Sequence, residues 1–331
     1  MHTSALKLLR CPHDGSELRL GTPVEGGEVH EGSLRCSQHD HVFSIRRGVP
    51  VMLEMSADLV HTSDSFGFEW DRFHRGRFES ETVFGLTLEE DRQSFFEGLS
   101  ISPEALDGAV VLDAGCGSGR LTIDLATQFP NATIVGLDLN PAIEHVFEKG
   151  RHLPNLHVVR GSIFDLPFED EAFDLVWSNG VIHHTGDTRR AFRSLTTKTR
   201  AGGRLYAWVY ERKPSPLVMI RDALARVGLN PWNWNRRVLY AFCWCISLPT
   251  WLAVKMLAPL RHHRRVDRTS RLGVLSRDRG MGELVLTWFD VLSPKYRDTY
   301  TVAELEAWFT ETGFQTLARY WWPVGVSGTR R

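Results

Sequence analysis

The sequence predicts an α/β fold: a doubly wound, mostly parallel seven-stranded sheet carrying a small N-terminal ribbon domain and a helical insertion. Three observations carry this prediction. Val110 to Arg120, VVLDAGCGSGR, runs from an apolar strand into a glycine-rich turn. Short apolar runs then alternate with helical spacings as far as about residue 210. Acids and glycines recur where those strands end, the edge at which such sheets hold ligands.

Each element has a local cause. Val110, Val111 and Leu112 read as a buried parallel strand, and Gly115, Gly117 and Gly119 let the backbone reverse without a Cβ in the way. The expected order is strand 110–113, helix 118–129, strand 133–138, helix 141–150, strand 156–160, strand 173–178, helix 187–199 and strand 203–210. Later come a helix at 301–311, capped by Thr301 and ended by Gly313, and a hairpin from about Gln315 to Thr329.

A strand, glycine-rich turn and helix suit either a dinucleotide or S-adenosylmethionine. The residues favour the second. The third glycine of a dinucleotide fingerprint would fall at Arg120, and Asp113 would face a pyrophosphate of the same charge. S-adenosylmethionine presents an ammonium and a sulfonium, which an acid at the strand tip attracts. Ala132 to Leu137 delivers a second acid, Asp138, where a carboxylate can accept both ribose hydroxyls.

From Val110 to Val209 the chain resembles the class I S-adenosylmethionine-dependent methyltransferases of the small-molecule and quinone type. The resemblance rests on DAGCGSG at 113–119, GLDLNP at 136–141, GSIFDLPFEDEAFDLVWSNGVIHH at 161–184 and AGGRLYAWVY at 201–210. It implies a cofactor site in which Asp113, Ala114, Gly115, Cys116 and Gly117 form the turn at the methionine end. Asp138 would hold the ribose, Leu139 would pack on the adenine, and Ser178 and Asn179 would lie near the transferred methyl. Where the family commonly places an acid for the adenine amino group, this chain has Ser162 and Ile163, with Asp165 either a substitute or a solvated turn residue. His183 and His184, after the fourth strand, are the candidates for a general base, with a structural hydrogen bond as the alternative role for His184.

Composition fits an ordinary globular enzyme. The 331 residues are 42% hydrophobic and 24% charged, and the net charge of −1 names no partner. Five scattered cysteines do not make a disulfide framework, and MHTSALKLLRCP has no apolar leader core, so a cytoplasmic location is expected. Residues 1–58 resemble the small zinc-ribbon-like domain that activates translation-related methyltransferases, through CPHDGSEL at 11–18 and LRCSQHDHVFSIRRGVPVML at 34–53. Each knuckle keeps one cysteine. Cys11, Asp14, Cys36 and His39, with His41 as alternative fourth ligand, would form an acceptable tetrahedral zinc site; a ribbon that folds without metal is the favoured reading.

Residues 59–108 are an aromatic linker in which Phe66, Trp70 or Phe73 would either pack on the sheet or cover the sulfonium. Residues 109–210 form the cofactor-binding core, 211–288 a basic and apolar insertion, and 289–331 the rest of the core, where Asp290, Tyr296 and Tyr300 could reach an acceptor. From Arg200 to Arg279 there are sixteen Lys and Arg against four Asp and Glu, around an apolar run at 238–260. Pro249, Lys255 and Pro259 argue for two short helices rather than a membrane span. The insertion reads as a buried cap or as a peripheral surface for anionic membrane, with tryptophans interleaved among arginines. The function expected is methyl transfer to a small, hydrophobic or lipid-linked acceptor. An RNA methyltransferase and a cofactor-binding module without turnover are the alternatives.

Overall fold

The structure is a computed structural model that describes residues 1–21, 27–77, 82–213, 216–257, 280–320 and 324–331. In chain order its strands are β1 (Leu18–Leu20), β2 (Gly32–Cys36), β3 (Val42–Arg46), β4 (Val49–Met52), β5 (Val110–Ala114), β6 (Thr133–Asp138), β7 (Leu156–Gly161), β8 (Phe173–Asn179), β9 (Thr199–Trp208), β10 (Phe314–Arg319) and β11 (Gly325–Arg330). Its α-helices are α1 (Ala57–His74), α2 (Leu88–Leu99), α3 (Arg120–Gln128), α4 (Ile143–Gly150), α5 (Thr188–Lys198), α6 (Pro216–Arg226), α7 (Arg236–Leu257), α8 (Met281–Leu292) and α9 (Val302–Glu311).

The seven strands expected from the sequence lie in the order β7-β6-β5-β8-β9-β11-β10, parallel except for β11, which runs antiparallel to both its neighbours β9 and β10. Chain order reverses beside β5, so the ends of β5, β6 and β8 open a crevice. The N-terminal ribbon does not stand apart from this sheet. Its strand β4 pairs in parallel with β7, Val51 opposite Arg160 and Met52 opposite Gly161, so the described residues form one eleven-stranded sheet. Local patterning could not reveal this pairing, which covers the edge that β7 would otherwise expose.

Apolar residues fill both faces of the sheet. On one, Trp177 and Tyr206 stack with ring centroids 4.1 Å apart, and Phe95 of α2 packs on Trp177 at 5.2 Å. Helix α9 begins with the expected cap: Thr301 accepts from the Glu304 N–H and the Glu304 side chain returns to the Thr301 N–H. The insertion departs from expectation at Pro249, which lies inside a single helix α7. A proline there leaves the Cys245 carbonyl without its helical partner, and Cys245 is exposed, so water can take that role. Pro259 lies outside the described residues.

The ribbon and core meet again at the turn between β3 and β4. Arg47 (φ 47°) and Gly48 (φ 79°) form a two-residue hairpin loop that needs left-handed backbone. A Cβ on Gly48 would lie 2.0 Å from the Phe147 ring of α4. Gly48→Ala should therefore cost about 1–3 kcal/mol through overpacking and backbone strain. Urea unfolding would show a lower midpoint at unchanged slope; an unmoved midpoint would mean that this contact does not hold the ribbon.

Candidate active site

The carboxyl ends of β5, β6, β7 and β8 surround a cavity of about 1780 Å³. Asp113, Gly115, Cys116, Gly117, Asp138, Leu139, Ser162, Ile163, Asn179 and His184 all line it. Ala114 and Ser178 do not: the Ser178 hydroxyl donates to the Ala114 carbonyl at 3.1 Å and ties β8 to β5 behind the wall. Of the segment before the core, Phe66 and Trp70 face the cavity, whereas Phe73 packs in the apolar cluster around α8.

The glycine turn is braced by β6. Gly115 and Cys116 N–H groups donate to the Leu137 carbonyl at 2.7 and 3.1 Å, and the Gly117 N–H donates to Asp138 Oδ2 at 2.8 Å. All three motif glycines have positive φ. A Cβ on Gly117 would sit 3.0 Å from the Trp70 ring, so Trp70 lies directly over the turn. Gly119 serves packing instead, because a Cβ there would meet Val146 of α4.

Three acids converge on this half of the cavity. Asp113 is buried and accepts from the Thr122 hydroxyl at 2.6 Å. Burial pushes its pKa up to about 7, against the Thr122 hydrogen bond, and the charges of Asp91 and Asp138 add to the rise. Asp138 is raised by burial although it accepts from the N–H of Gly117 and both nitrogens of Asn140. Those bonds take three of roughly four acceptor directions on its carboxylate, so a ribose diol would have to displace one of them. Arg120, at the position of the missing third glycine, turns to Asp91 (3.1 Å) and to the carbonyls of Leu86 and Thr87. Ser162 Oγ accepts from the Phe164 N–H at 3.2 Å and keeps its second lone pair.

The other half of the cavity is walled by Phe66, His184, Tyr210, Thr287, Asp290, Tyr296 and Arg297. His184 Nδ1 lies 2.9 Å from the Tyr296 carbonyl and so carries the hydrogen, leaving Nε2 as a lone pair with no hydrogen-bond partner among the described residues. Burial pulls its pKa down to about 3. His183 is buried behind the wall, 3.9 Å between ring centroids from Tyr210, and burial likewise holds it neutral. This placement speaks against the expectation that His183 is a base, since it does not reach the cavity. Tyr300 does not line the cavity either; its ring packs on Trp308 at 4.8 Å.

Sequence reasoning missed Tyr210, Arg297 and Glu69. The Tyr210 hydroxyl donates to Asp290 Oδ2 at 2.9 Å, and the Arg297 guanidinium lies 3.9 Å from the Tyr210 ring centre. Glu69 is wholly buried, and neither carboxylate oxygen has a hydrogen-bond partner among the described residues. A signal for Glu69 existed. Phe66, Glu69, Trp70 and Phe73 fall at i, i+3, i+4 and i+7, which puts an acid on the apolar stripe of α1.

Fold and site together define a nucleotide-cradling α/β protein whose pocket concentrates acids rather than phosphate-binding groups. Residues 112–207 match the family described as "Methyltransferase domain", and the chain carries a class I S-adenosylmethionine-dependent methyltransferase domain. It is 39% identical over 96 residues to trans-aconitate 2-methyltransferase of Deinococcus radiodurans (29% of this chain, 35% of that one). It is 34% identical over 124 residues to a protein of Mycobacterium ulcerans named "Probable phthiotriol/phenolphthiotriol dimycocerosates methyltransferase 2" (38% and 48%). A malonyl-[acyl-carrier protein] O-methyltransferase of Legionella pneumophila is 36% identical over 94 residues (28% and 33%). The chain thus spans less than half the length of these relatives. Among solved structures, magnesium protoporphyrin IX methyltransferase from Synechocystis superposes with a TM-score of 0.47 at 15% identity, covering 83% of this chain and 100% of that one.

In the ribbon, ligand atoms of Cys11, Asp14, Cys36 and His41 lie within 4.8 Å of one another. The geometry puts His41, not His39, in the fourth position; His39 bonds Asp14 Oδ2 at 2.6 Å instead. Asp14 is held well below the usual carboxylate range, chiefly by the Ser16 N–H at 2.8 Å, while burial pushes Cys11 up to about 11. Cys36 Sγ lies 3.3 Å from Asp14 and Cys11 Sγ lies 3.4 Å from His41, spacings that suit hydrogen bonds and a tetrahedral ligand set alike. Elemental analysis of purified protein should find less than about a tenth of an equivalent of zinc. A full equivalent, lost in Cys36→Ser, would make this a metal centre.

Proposed function

We propose that the chain transfers a methyl group from S-adenosylmethionine to a hydrophobic or lipid-linked acceptor. The observation that carries this reading is the pair Asp113 and Asp138 at neighbouring strand ends, around a glycine turn that a Cβ would fill. Burying uncompensated carboxylates is costly, and a ligand that brings positive charge removes the cost. Asp113 and the 115–117 turn would hold the methionine end, Asp138 the ribose, Leu139 and Ile163 the adenine, and Trp70 would cover the turn. Bound there, the cofactor supplies an electrophilic methyl on a sulfonium. The protein's part is to hold an acceptor in line with it, which in good cases lowers the barrier by roughly 7–11 kcal/mol, and to manage one proton.

The acceptor reading rests on the insertion. The inner face of α7 packs Leu239 and Cys243 in one cluster with Leu286 and Phe289 of α8, the helix that turns Thr287 and Asp290 to the cavity. Its outer face, α6 and the turn after α6 expose Met219, Ile220, Val227, Val238, Leu248, Leu252 and Met256, with Met256 76% and Val227 72% accessible. No helix among the described residues is long and apolar enough to cross a membrane. Exposed apolar residues in a stretch whose sequence is basic, much of it outside the described residues, suit an anionic bilayer surface, where a lipid-linked acceptor would be found. Two of the relatives above are named for lipid-linked or carrier-linked acceptors.

Two outcomes are expected. Because the folded pKa of Asp113 lies above its unfolded value of 3.8, the donor-free protein loses stability as pH rises from about 4 to 7. A cation restores it. S-adenosylhomocysteine should bind more tightly as pH rises from about 6 to 8, by up to about tenfold per unit below the pKa, and level off above. Asp113→Asn should abolish this dependence in calorimetry, and binding that is flat with pH in the wild-type chain would contradict the role of Asp113. The chain should also sediment at low salt with vesicles containing phosphatidylglycerol, at least about tenfold more than the Leu248→Glu, Leu252→Glu double variant. Equal sedimentation of the two, or none, would leave the insertion as a cap alone.

A further inference from the structure

We propose that Asp290 is the base for the methyl acceptor, that Glu69 beside it stays protonated, and that the acceptor is a neutral hydroxyl on an apolar molecule. This assignment rests on the methyltransferase reading above and concerns the half of the cavity away from Asp113.

The geometry begins with α1 and α8, which run side by side. Ser65 donates to Ser293 at 2.7 Å, and Phe68 stacks on Phe289 at 5.3 Å. Glu69 and Asp290 each follow one member of the stacked pair. They share an interior in which both cannot ionise cheaply. Their surroundings differ. Asp290 lines the cavity, accepts the Tyr210 hydroxyl and lies near the charge of Arg297, so it can hold a negative charge. Glu69 does not line the cavity and has no hydrogen-bond partner among the described residues; burial first and Asp290 second drive its pKa up. The nearby Arg72 lies over the Phe68 and Tyr240 rings at 4.5 and 4.0 Å, and the Cys243 thiol of α7 is buried and neutral.

A second observation points to the ligand. Among the described residues, His184 lines the same wall with an unpartnered Nε2 lone pair and Arg297 with an unpartnered Nε–H, so the wall offers both an acceptor and a donor, as a hydroxyl group can use. Of the two acceptors on the wall, Asp290 holds a proton more strongly than His184, because burial raises a carboxylate and lowers an imidazole. Ionised Asp290 offsets Arg297, protonated Glu69 and neutral His183, His184 and Tyr210 add no charge, and the buried guanidinium of Arg221 adds a positive charge that disfavours an ammonium. The site therefore suits a neutral hydroxyl rather than an ammonium. In the step, the acceptor O–H bond breaks and its proton passes to Asp290 while the oxygen electron pair forms the O–CH3 bond. The C–S bond of the sulfonium donor breaks with its electron pair left on sulfur, giving a neutral thioether, and Asp290 then releases the proton to water.

The full chain would be assayed with labelled S-adenosylmethionine and with 4-octylphenol, octan-1-ol or octylamine as probes. Label is expected in a hydroxyl probe and not in the amine. Asp290→Asn should lower that rate at least about 100-fold, the scale of a lost general base. Its binding of S-adenosylhomocysteine by calorimetry should match the wild type, which shows that the variant is folded. Infrared spectra at pH 8.5 should show a protonated-carboxyl band in the wild type and Asp290→Asn that is missing in Glu69→Gln. Preferential labelling of octylamine, no label in either hydroxyl probe, a rate in Asp290→Asn within about threefold of wild type, or a band lost with Asp290 and kept without Glu69 would each overturn the assignment. If the wild-type chain fails to bind S-adenosylhomocysteine at all, the methyl-donor reading falls, and this one with it.

Discussion

The site depends on the register between β5 and β6. Asp113 lies opposite Gly136 and Ala114 opposite Leu137, so the chain leaving β5 meets the Leu137 carbonyl and the Asp138 carboxylate immediately. Three N–H groups of the glycine turn are spent there. A slip of one residue would exchange the faces of β6 and remove both acceptors. Buried parallel strands make that slip costly, because Val111, Leu112, Ile134 and Val135 are all withdrawn from water. The sheet thus holds two carboxylates that make no ion pair among the described residues, and on the reading proposed above this imbalance would favour a cationic ligand.

The ribbon contributes to the same pocket. Through β4 it extends the sheet beyond β7, and the chain leaving β4 carries Met52 to Ser56 along the cavity rim, with Pro12 and His13 of the first knuckle beside it. Helix α1 begins immediately after, capped by Ser56, and brings Phe66 and Trp70 to the cavity. A module that looks separable by composition is therefore placed to fix where α1 starts. The Gly48 turn against Phe147 is the second fastening of the same kind.

What the sequence made legible was what neighbouring residues decide. The strand ending at Asp113, the three glycines, the second acid at Asp138 and the Thr301 cap all came from spacings of a few residues, and each stands where it was expected. What it hid was long-range. The pairing of β4 with β7 joins segments with no shared pattern, and Glu69 and Asp290 meet only because α1 and α8 pack together. His39 and His41 are two residues apart, and spacing alone could not choose between them; the backbone course after β2 turns His41 toward Cys11 and leaves His39 outside. Ala114 and Ser178 were expected on the wall because they sit at strand ends. The alternation of a strand instead sends their polar atoms to each other.

The family match reaches most of one half of the cavity and, in the other, only His184. The family match ends at residue 207, within β9, and covers Asp113, the glycine turn, Asp138 and the β8 end. Tyr210, Asp290, Arg297, Phe66 and Glu69 all lie outside it. On the reading proposed above, helix α8 would carry the choice of acceptor. It turns Thr287 and Asp290 to the cavity and packs Leu286 and Phe289 with α7, so one face of the helix meets the cavity and the other seats the insertion. A change of acceptor would then call for rewriting α1 and α8 while leaving the β5–β6 register untouched.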